Sequence, residues 1–188
     1  MTERPSARAT ADRSLVLYAL VRRAAIEVVL ADGDDPVRLR QAEKARQETE
    51  RWLERESLTQ ALTPVERSLF DAPTSTWTPE AIADGLWRKE ALGVLLWALR
   101  MVEPMPAIDV EFEVATLNTA IEGAGSVSSF RAGARLRDPS DVETAWREAD
   151  TWFGATEGAA GDDSTLASIS AERSRALAWL RHANAPTA

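Results

Sequence analysis

The sequence contains no cysteine and only one histidine, His182. The absence of cysteine excludes disulfides, thiolate metal sites and cysteine nucleophiles, and it favours a reducing, cytoplasmic location. One histidine is too few for a histidine-based metal cluster within one chain. We therefore expect no cofactor and no metal. We assign His182 to the last turn of the final helix, where the helix dipole stabilises a cation.

Basic residues and long apolar runs are also scarce. Lysine and arginine total 22 against 30 acidic residues, which gives a net charge of −8, whereas a surface that binds nucleic acid needs a basic face. The longest apolar stretch, residues 15–30, is interrupted by Arg22, Arg23 and Glu27, which excludes a membrane span. The polar residues 1–10 lack the apolar core of a signal peptide. The sequence thus predicts no nucleic-acid partner and no membrane association.

Common catalytic and phosphate-binding motifs are missing as well. The chain has no glycine-rich loop ahead of a helix and no Gly-x-Ser-x-Gly nucleophile motif. The acidic turn at residues 32–35 resembles the start of a calcium-binding loop. The downstream ligands of such a site, including a bidentate glutamate, do not follow it. We interpret it as an ordinary turn between two helices.

The length and composition are those of a folded globular protein. The chain has 188 residues, of which 45% are hydrophobic and 28% charged, so disorder is not the expected state. No linker divides the sequence. We expect a single helical domain over residues 11–183, with flexible tails at residues 1–10 and 184–188.

Apolar periodicity and capping residues predict an all-α, single-domain bundle of six or seven helices. A helix over about residues 12–31 is apolar in nearly every direction, which places it at the centre of the bundle. Thr63-Pro64-Val65-Glu66 has the pattern of a capping box with proline at the first helical position. The other predicted helices run from about 37 to 56, 63 to 70, 78 to 102, 127 to 136, 139 to 153 and 164 to 183.

Residues 108–114 show a different pattern. Apolar residues alternate there with acidic ones, which is the period of a β-strand with its acidic side exposed. A single strand cannot form a sheet, so we expect an extended segment laid over the helices or one arm of a small hairpin. The apolar positions are Ile108, Val110, Phe112 and Val114.

The chain is rich in tryptophan, with seven residues. Trp97, Trp146 and Trp152 lie on apolar helical stripes, where a large aromatic side chain favours core packing. Trp77 lies in a predicted loop, and tryptophan is common at the centres of protein interfaces. We therefore predict Trp77 as the aromatic residue that faces a partner.

The candidate polar cluster consists of charged residues on otherwise apolar helix faces: Arg23, Glu27, Arg88, Glu90 and Arg173. Charges buried in this way must be paired or shifted in pKa. They form either a structural salt-bridge network, in which Glu90 pairs with Arg23 or Arg173, or a functional pocket. In the second interpretation Glu27, Glu90 and an arginine act in acid–base chemistry or recognise a ligand.

Several of these residues belong to motifs with a family resemblance. The motifs are Arg13-Ser14-Leu15, Trp87-Arg88-x-Glu90-Ala91-Leu92 running into Leu96-Trp97-Ala98-Leu99, Phe130-x-x-Gly133-Ala134-x-Leu136-Arg137, and Glu172-Arg173-x-x-Ala176-Leu177-x-Trp179-Leu180. They resemble an uncharacterised bacterial family, domain of unknown function 4272, over about residues 10–181. The resemblance implies a bacterial helical domain with no assigned activity and no established catalytic residues. Family members often continue past the last helix into an acidic segment with Trp-Asp and a later Asp-Thr. This sequence has Ala185-Pro186-Thr187-Ala188 there instead, so we expect no site built from those acids here.

The sequence therefore predicts a protein of unknown function that acts as a non-catalytic, cytoplasmic interaction or accessory protein. Its expected partner is another protein or a second copy of the chain. The alternative is a small-molecule-binding protein or enzyme that uses the buried Glu/Arg cluster in a Trp-lined pocket. A wide, solvent-connected cavity beside Glu90 would favour the alternative, and a dry, filled bundle would favour an interaction protein.

Overall fold

The structure is a computed structural model, and it describes residues 4–31, 35–156 and 163–182. These residues form eight α-helices and one turn of 3₁₀-helix, Leu58–Ala61, with no β-strand among them. The prediction of an all-α fold is confirmed, and the eight α-helices are close to the six or seven expected. The α-helices are α1 Ala7–Ala31, α2 Pro36–Arg55, α3 Pro64–Asp71, α4 Pro79–Ala98, α5 Val114–Glu122, α6 Val127–Gly133, α7 Pro139–Thr156 and α8 Asp163–Arg181.

Local capping chemistry explains where several helices begin. Helices α2, α3, α4 and α7 each start at a proline, whose fixed φ suits the first helical position and whose missing N–H would be unpaired there. The capping box predicted for α3 is present: the Glu66 N–H donates to Thr63 Oγ1 at 3.2 Å, and the Thr63 N–H donates to Glu66 Oε2 at 2.9 Å. Asp35 caps α2 by accepting from the Val37 N–H at 2.9 Å.

The chain divides into two compact units, a smaller unit of residues 15–88 and a larger unit of residues 1–14 and 89–188. In the smaller unit residues 15–21 of α1 are all buried, as expected for a helix that is apolar all round. The Tyr18 ring meets the edge of Trp52 at 6.2 Å, and Leu53, Leu58 and Phe70 complete this core.

The larger unit has its own core. It is lined by Leu99, directly after α4, and by fully or nearly fully buried residues of α4, α5, α6 and α8: Leu92, Leu95, Leu96, Leu117, Phe130, Ile169 and Leu177. Helices α7 and α8 pack on each other, and the Arg181 guanidinium lies 3.6 Å from the centre of the Trp146 ring while donating to Glu143 at 2.6 Å.

Several predicted boundaries are wrong. Helix α1 begins at Ala7 and Thr10 is fully buried, so residues 7–10 are not a tail; residues 184–188 lie outside the described part. Helix α4 ends at Ala98, four residues before the predicted end.

The segment 108–114 is not a regular strand. Residues 108–110 form a turn, residues 111–113 have no regular secondary structure, and α5 begins at Val114. Only Phe112 of the four alternating apolar residues is buried, whereas Val110 and Val114 are exposed. The chain turns here because the carbonyl groups of Pro106, Ala107 and Val110 accept hydrogen bonds from the buried Arg173.

None of the helices in the described residues is both long enough and apolar enough to cross a membrane.

Candidate functional site

The structure resolves the predicted polar cluster into two separate ion pairs. Glu90 and Arg173 form one pair in the larger unit, and Arg23 and Glu27 form the other in the smaller unit. All four side chains are at most 1% exposed. Arg88 is half-buried on α4 and belongs to neither pair.

The Glu90 carboxylate uses both of its oxygens within the protein. Its Oε2 accepts from Arg173 Nε at 2.9 Å and lies 2.8 Å from Arg173 Nη2. Its Oε1 accepts from the Phe112 backbone N–H at 2.9 Å. Burial raises the pKa of Glu90, while the charge of Arg173 and the N–H of Phe112 act in the opposite direction.

Arg173 turns the other side of its guanidinium toward the backbone of residues 106–110. Nη1 donates to the carbonyl oxygens of Pro106 and Ala107 at 3.0 Å, and Nη2 donates to that of Val110 at 2.6 Å. Every nitrogen of the guanidinium therefore has an acceptor. These three carbonyls, which a strand would direct sideways, converge on one cation, and this explains the turn at residues 108–110.

Phe112 completes this arrangement on the apolar side. The Arg173 guanidinium lies 4.8 Å from the centre of the Phe112 ring, within the range of a cation–π contact. Phe112 packs where Gly93 of α4 has no side chain, because a Cβ on Gly93 would overlap the ring. The Glu90–Arg173 pair thus attaches residues 106–112 to the helices of the larger unit.

The Arg23–Glu27 pair is built from one turn of α1 and the loop of residues 72–78. Arg23 Nη2 lies 2.7 Å from Glu27 Oε1 and donates to the Ala72 carbonyl at 3.3 Å. The other oxygen of Glu27, Oε2, accepts from the Ser75 backbone N–H at 2.9 Å. The loop is therefore attached to both members of the pair.

This second pair is incompletely satisfied. Nε and Nη1 of Arg23 are buried and have no hydrogen-bond acceptor in the described part of the chain. Glu27 Oε1 also lacks a hydrogen bond, because its close approach to Arg23 does not have hydrogen-bond geometry. Burial lowers the pKa of Arg23, and the charge of Glu27 opposes that change.

The loop of residues 72–78 is held tightly over this pair. Ser75 has a φ of 61°, a left-handed conformation that is unfavourable for a residue other than glycine, asparagine or aspartate. Trp77 lies with its ring centre 5.5 Å from the Arg23 guanidinium and donates its indole N–H to the Leu69 carbonyl at 2.9 Å. A Cβ on Gly85 would lie 3.1 Å from that ring and 2.7 Å from the Ala24 Cβ, so glycine leaves the space that Trp77 needs.

Further charged side chains surround Arg23. Arg46 donates to Glu43 at 2.7 and 3.0 Å and to Glu50, and Arg23 Nη1 lies 3.9 Å from Glu50 Oε1. Thr74 of the loop donates to Glu43 Oε2 at 2.9 Å. The hydrogen bonds from Arg46 lower the pKa of Glu43 to about 2, so Glu43 is ionised at neutral pH.

Two of the aromatic predictions are wrong. Trp77 does not face a partner, because its side chain is only 7% exposed and covers Arg23. Trp152 is not a core residue, because it is 41% exposed on α7, next to the exposed Phe153. Trp97 is buried as predicted, and Trp146 is half-buried.

Sequence reasoning missed the backbone groups and the glycines that complete both sites. Nothing in the sequence marks the Pro106, Ala107 and Val110 carbonyls as acceptors. Gly85 and Gly93 could have indicated close packing, because glycine inside a helix lowers stability relative to alanine and is favoured where a neighbouring group leaves no room for a side chain. No group of three or more carboxylates and histidines in the described residues is arranged to hold a metal ion.

Comparison with known proteins gives a family and no named relative. The chain matches the family model described as "Domain of unknown function (DUF4272)" over residues 2–186. No curated protein and no solved structure matches it. The matched range contains both ion pairs and all the motifs that resemble this family. The chain therefore belongs to the family of the domain of unknown function DUF4272.

Proposed function

We propose that this protein acts by binding another protein through α7, and not by catalysis. The observation that carries the proposal is the exposure of two adjacent aromatic side chains, 41% for Trp152 and 36% for Phe153. Tryptophan is enriched among the residues that dominate binding energy in protein interfaces. A large aromatic side chain gains most of its hydrophobic free energy only when a partner covers it. Trp152 and Phe153 are the centre of the proposed interface.

The acidic side chains of α7 favour a partner with a basic surface. Helix α7 carries Asp141, Glu143, Glu148 and Asp150 against Arg147, and the whole chain has a net charge of −8. A complementary partner combines apolar side chains with lysine or arginine. A second copy of the chain would bring the same acidic helix, and like charges facing each other oppose binding. The proposed partner is therefore a basic, apolar segment of a different protein.

The state of Glu90 supports a non-catalytic role. An acid–base residue needs an oxygen within reach of its substrate. Both oxygens of Glu90 are bonded inside the protein, and its side chain is fully buried. Exposing it requires removal of residues 106–112 from the larger unit. We also propose a cytoplasmic location, which the absence of cysteine favours.

The test compares three forms of the chain as bait in lysate from the source cells. The wild type should retain a basic protein, and Trp152→Ser/Phe153→Ser should lose it because the apolar centre is gone. The control Val65→Ser removes a 70% exposed apolar side chain from α3 and should behave as wild type. Raising the salt concentration should release the bound protein, because the rim of the interface is charged.

Two results would contradict the proposal. One is a set of bound proteins that is the same for the wild type and the double variant. The other is a wild-type dimer in analytical ultracentrifugation that the double variant loses, because a second copy would then occupy the aromatic surface. Circular dichroism of all three forms checks that the substitutions leave the helices intact.

A further inference from the structure

We infer that Arg23 and Glu27 form a binding site for a small, neutral, polar ligand that accepts and donates hydrogen bonds through adjacent atoms, as a primary amide does. This site lies in the smaller unit and uses none of the residues of the proposed interface on α7. The two proposals therefore stand or fail independently.

Three hydrogen-bonding atoms of this ion pair have no partner in the described residues. Arg23 has two nitrogens, Nε and Nη1, without an acceptor in the described residues, and Glu27 has one oxygen, Oε1, without a donor. All three atoms are buried. Buried polar atoms are almost always hydrogen-bonded in folded proteins, so three open atoms on one ion pair require an explanation. A group that accepts from one of the open Arg23 nitrogens and donates to Glu27 Oε1 bonds both residues at once.

The charged side chains around Arg23 favour a neutral ligand. Arg23 and Arg46 supply two positive charges, while Glu27, Glu43 and Glu50 supply three negative ones. An anion such as a carboxylate or a phosphate would add to an existing negative excess, and it would offer no donor to Glu27. A neutral ligand avoids both problems, and a primary amide carries its carbonyl acceptor and N–H donor on neighbouring atoms.

Trp77 and the loop of residues 72–78 cover the ion pair. The Trp77 ring covers Arg23 at 5.5 Å, and the loop of residues 72–78 is attached by the Ser75–Glu27 and Thr74–Glu43 hydrogen bonds. The left-handed Ser75 adds backbone strain at the residue that bonds Glu27, and strain of this kind is concentrated at ligand-binding sites. Because Arg23 is fully buried, the ligand enters when these two hydrogen bonds open and the loop moves.

Acetamide and acetate are the probes that test this inference, because they have nearly the same size and differ in charge and in the presence of a donor. The measurement is the indole N–H resonance of Trp77 in two-dimensional NMR, assigned with Trp77→Phe. In the wild type this resonance should shift with acetamide to a saturating end point, whereas acetate should give no saturable shift.

Variants locate the binding on Arg23. Arg23→Lys keeps the positive charge but loses the fork of donors, and it should weaken acetamide binding by about tenfold or more. The control Arg22→Lys changes the neighbouring, exposed arginine and should keep the wild-type affinity.

The inference is overturned by any of three results: no saturable shift with acetamide, equal saturation with acetate, or unchanged affinity in Arg23→Lys. The first would mean that only water satisfies the open atoms. If Arg23→Lys does not fold, the contrast between acetamide and acetate in the wild type decides the question alone.

Discussion

The two buried ion pairs use the same parts and differ in how completely they are satisfied. Each places an arginine against a glutamate, an aromatic ring over the guanidinium and a glycine of α4 behind that ring. Arg173 has an acceptor for every nitrogen, whereas Arg23 has two nitrogens with none in the described residues. Buried ion pairs therefore differ in whether their remaining hydrogen-bond donors and acceptors have partners. A pair with every partner present is structural, whereas a pair with open atoms is a candidate binding site.

A stabilising ion pair needs all its hydrogen bonds to be made within the protein, whereas a binding site needs some of them to remain open for the ligand. A saturated pair offers nothing to a ligand, and its bonds to residues 106–112 organise a segment that has no regular secondary structure. An unsaturated pair lowers stability in the free protein, and a ligand that completes its hydrogen bonds recovers that cost. Substitutions at the two pairs should therefore change stability by different amounts.

Removing the glutamate from the saturated pair should have the largest effect. Glu90→Ala leaves Arg173 buried without its counterion and frees the Phe112 N–H, and breaking such a pair costs about 3–5 kcal/mol. Urea unfolding followed by circular dichroism measures this loss. Glu111→Ala, which removes an exposed acid from the same segment, is the control and should change stability by less than about 0.5 kcal/mol. An unchanged unfolding midpoint in Glu90→Ala would contradict a structural role.

Filling the space behind the Phe112 ring should have a smaller effect. Gly93→Ala places a methyl group where the ring lies, and overpacking of this kind costs about 1–3 kcal/mol. Gly154→Ala is the matched control, because nothing lies near its Cβ position on α7, and alanine there should stabilise the helix by roughly 0.5–1 kcal/mol. Equal stability changes of the same sign in the two variants would show that Phe112 does not occupy that space in solution.

Acid pH should act on the smaller unit through Glu43. Its pKa is lowered to about 2, so its ionised form stabilises the folded state, and this contribution is present above its ordinary pKa of about 4.5. The contribution is lost as the pH falls from about 4.5 toward about 2. Glu43→Gln should therefore show a shallower decline of the unfolding free energy over that interval than the wild type. Identical pH profiles would mean that the Glu43–Arg46 contact is not formed in solution.

The sequence could predict the helical architecture because the signals for it are local. Proline at the first position and the Thr63–Glu66 capping box place helix starts correctly. The identification of Glu90 as a buried partner of Arg23 or Arg173 also needed only the apolar character of its helix face. The structure selects Arg173.

The sequence could not reveal what depends on distant backbone atoms. The alternation in residues 108–114 predicts a strand face, but the carbonyls of residues 106–110 turn toward Arg173, and this leaves Val110 and Val114 exposed. Extending that alternation through Val114 also hid the start of α5. Trp77 was expected to be exposed because it lies in a loop, whereas Arg23 and Gly85 provide a buried place for its ring.

The most direct test of the difference between the two pairs replaces each pair by apolar residues of similar size. Glu90→Leu/Arg173→Met removes the partners of the Phe112 N–H and of three backbone carbonyls. Each buried polar group left unpaired costs about 1–3 kcal/mol, so this variant should lose more than about 3 kcal/mol.

Glu27→Leu/Arg23→Met removes three open polar atoms as well as the partners of the Ser75 N–H and the Ala72 carbonyl. Its free energy of unfolding, measured by urea denaturation beside that of the first variant, should stay within about 1 kcal/mol of the wild type or increase. Equal losses in the two double variants, or a larger loss at Arg23 and Glu27, would contradict the account.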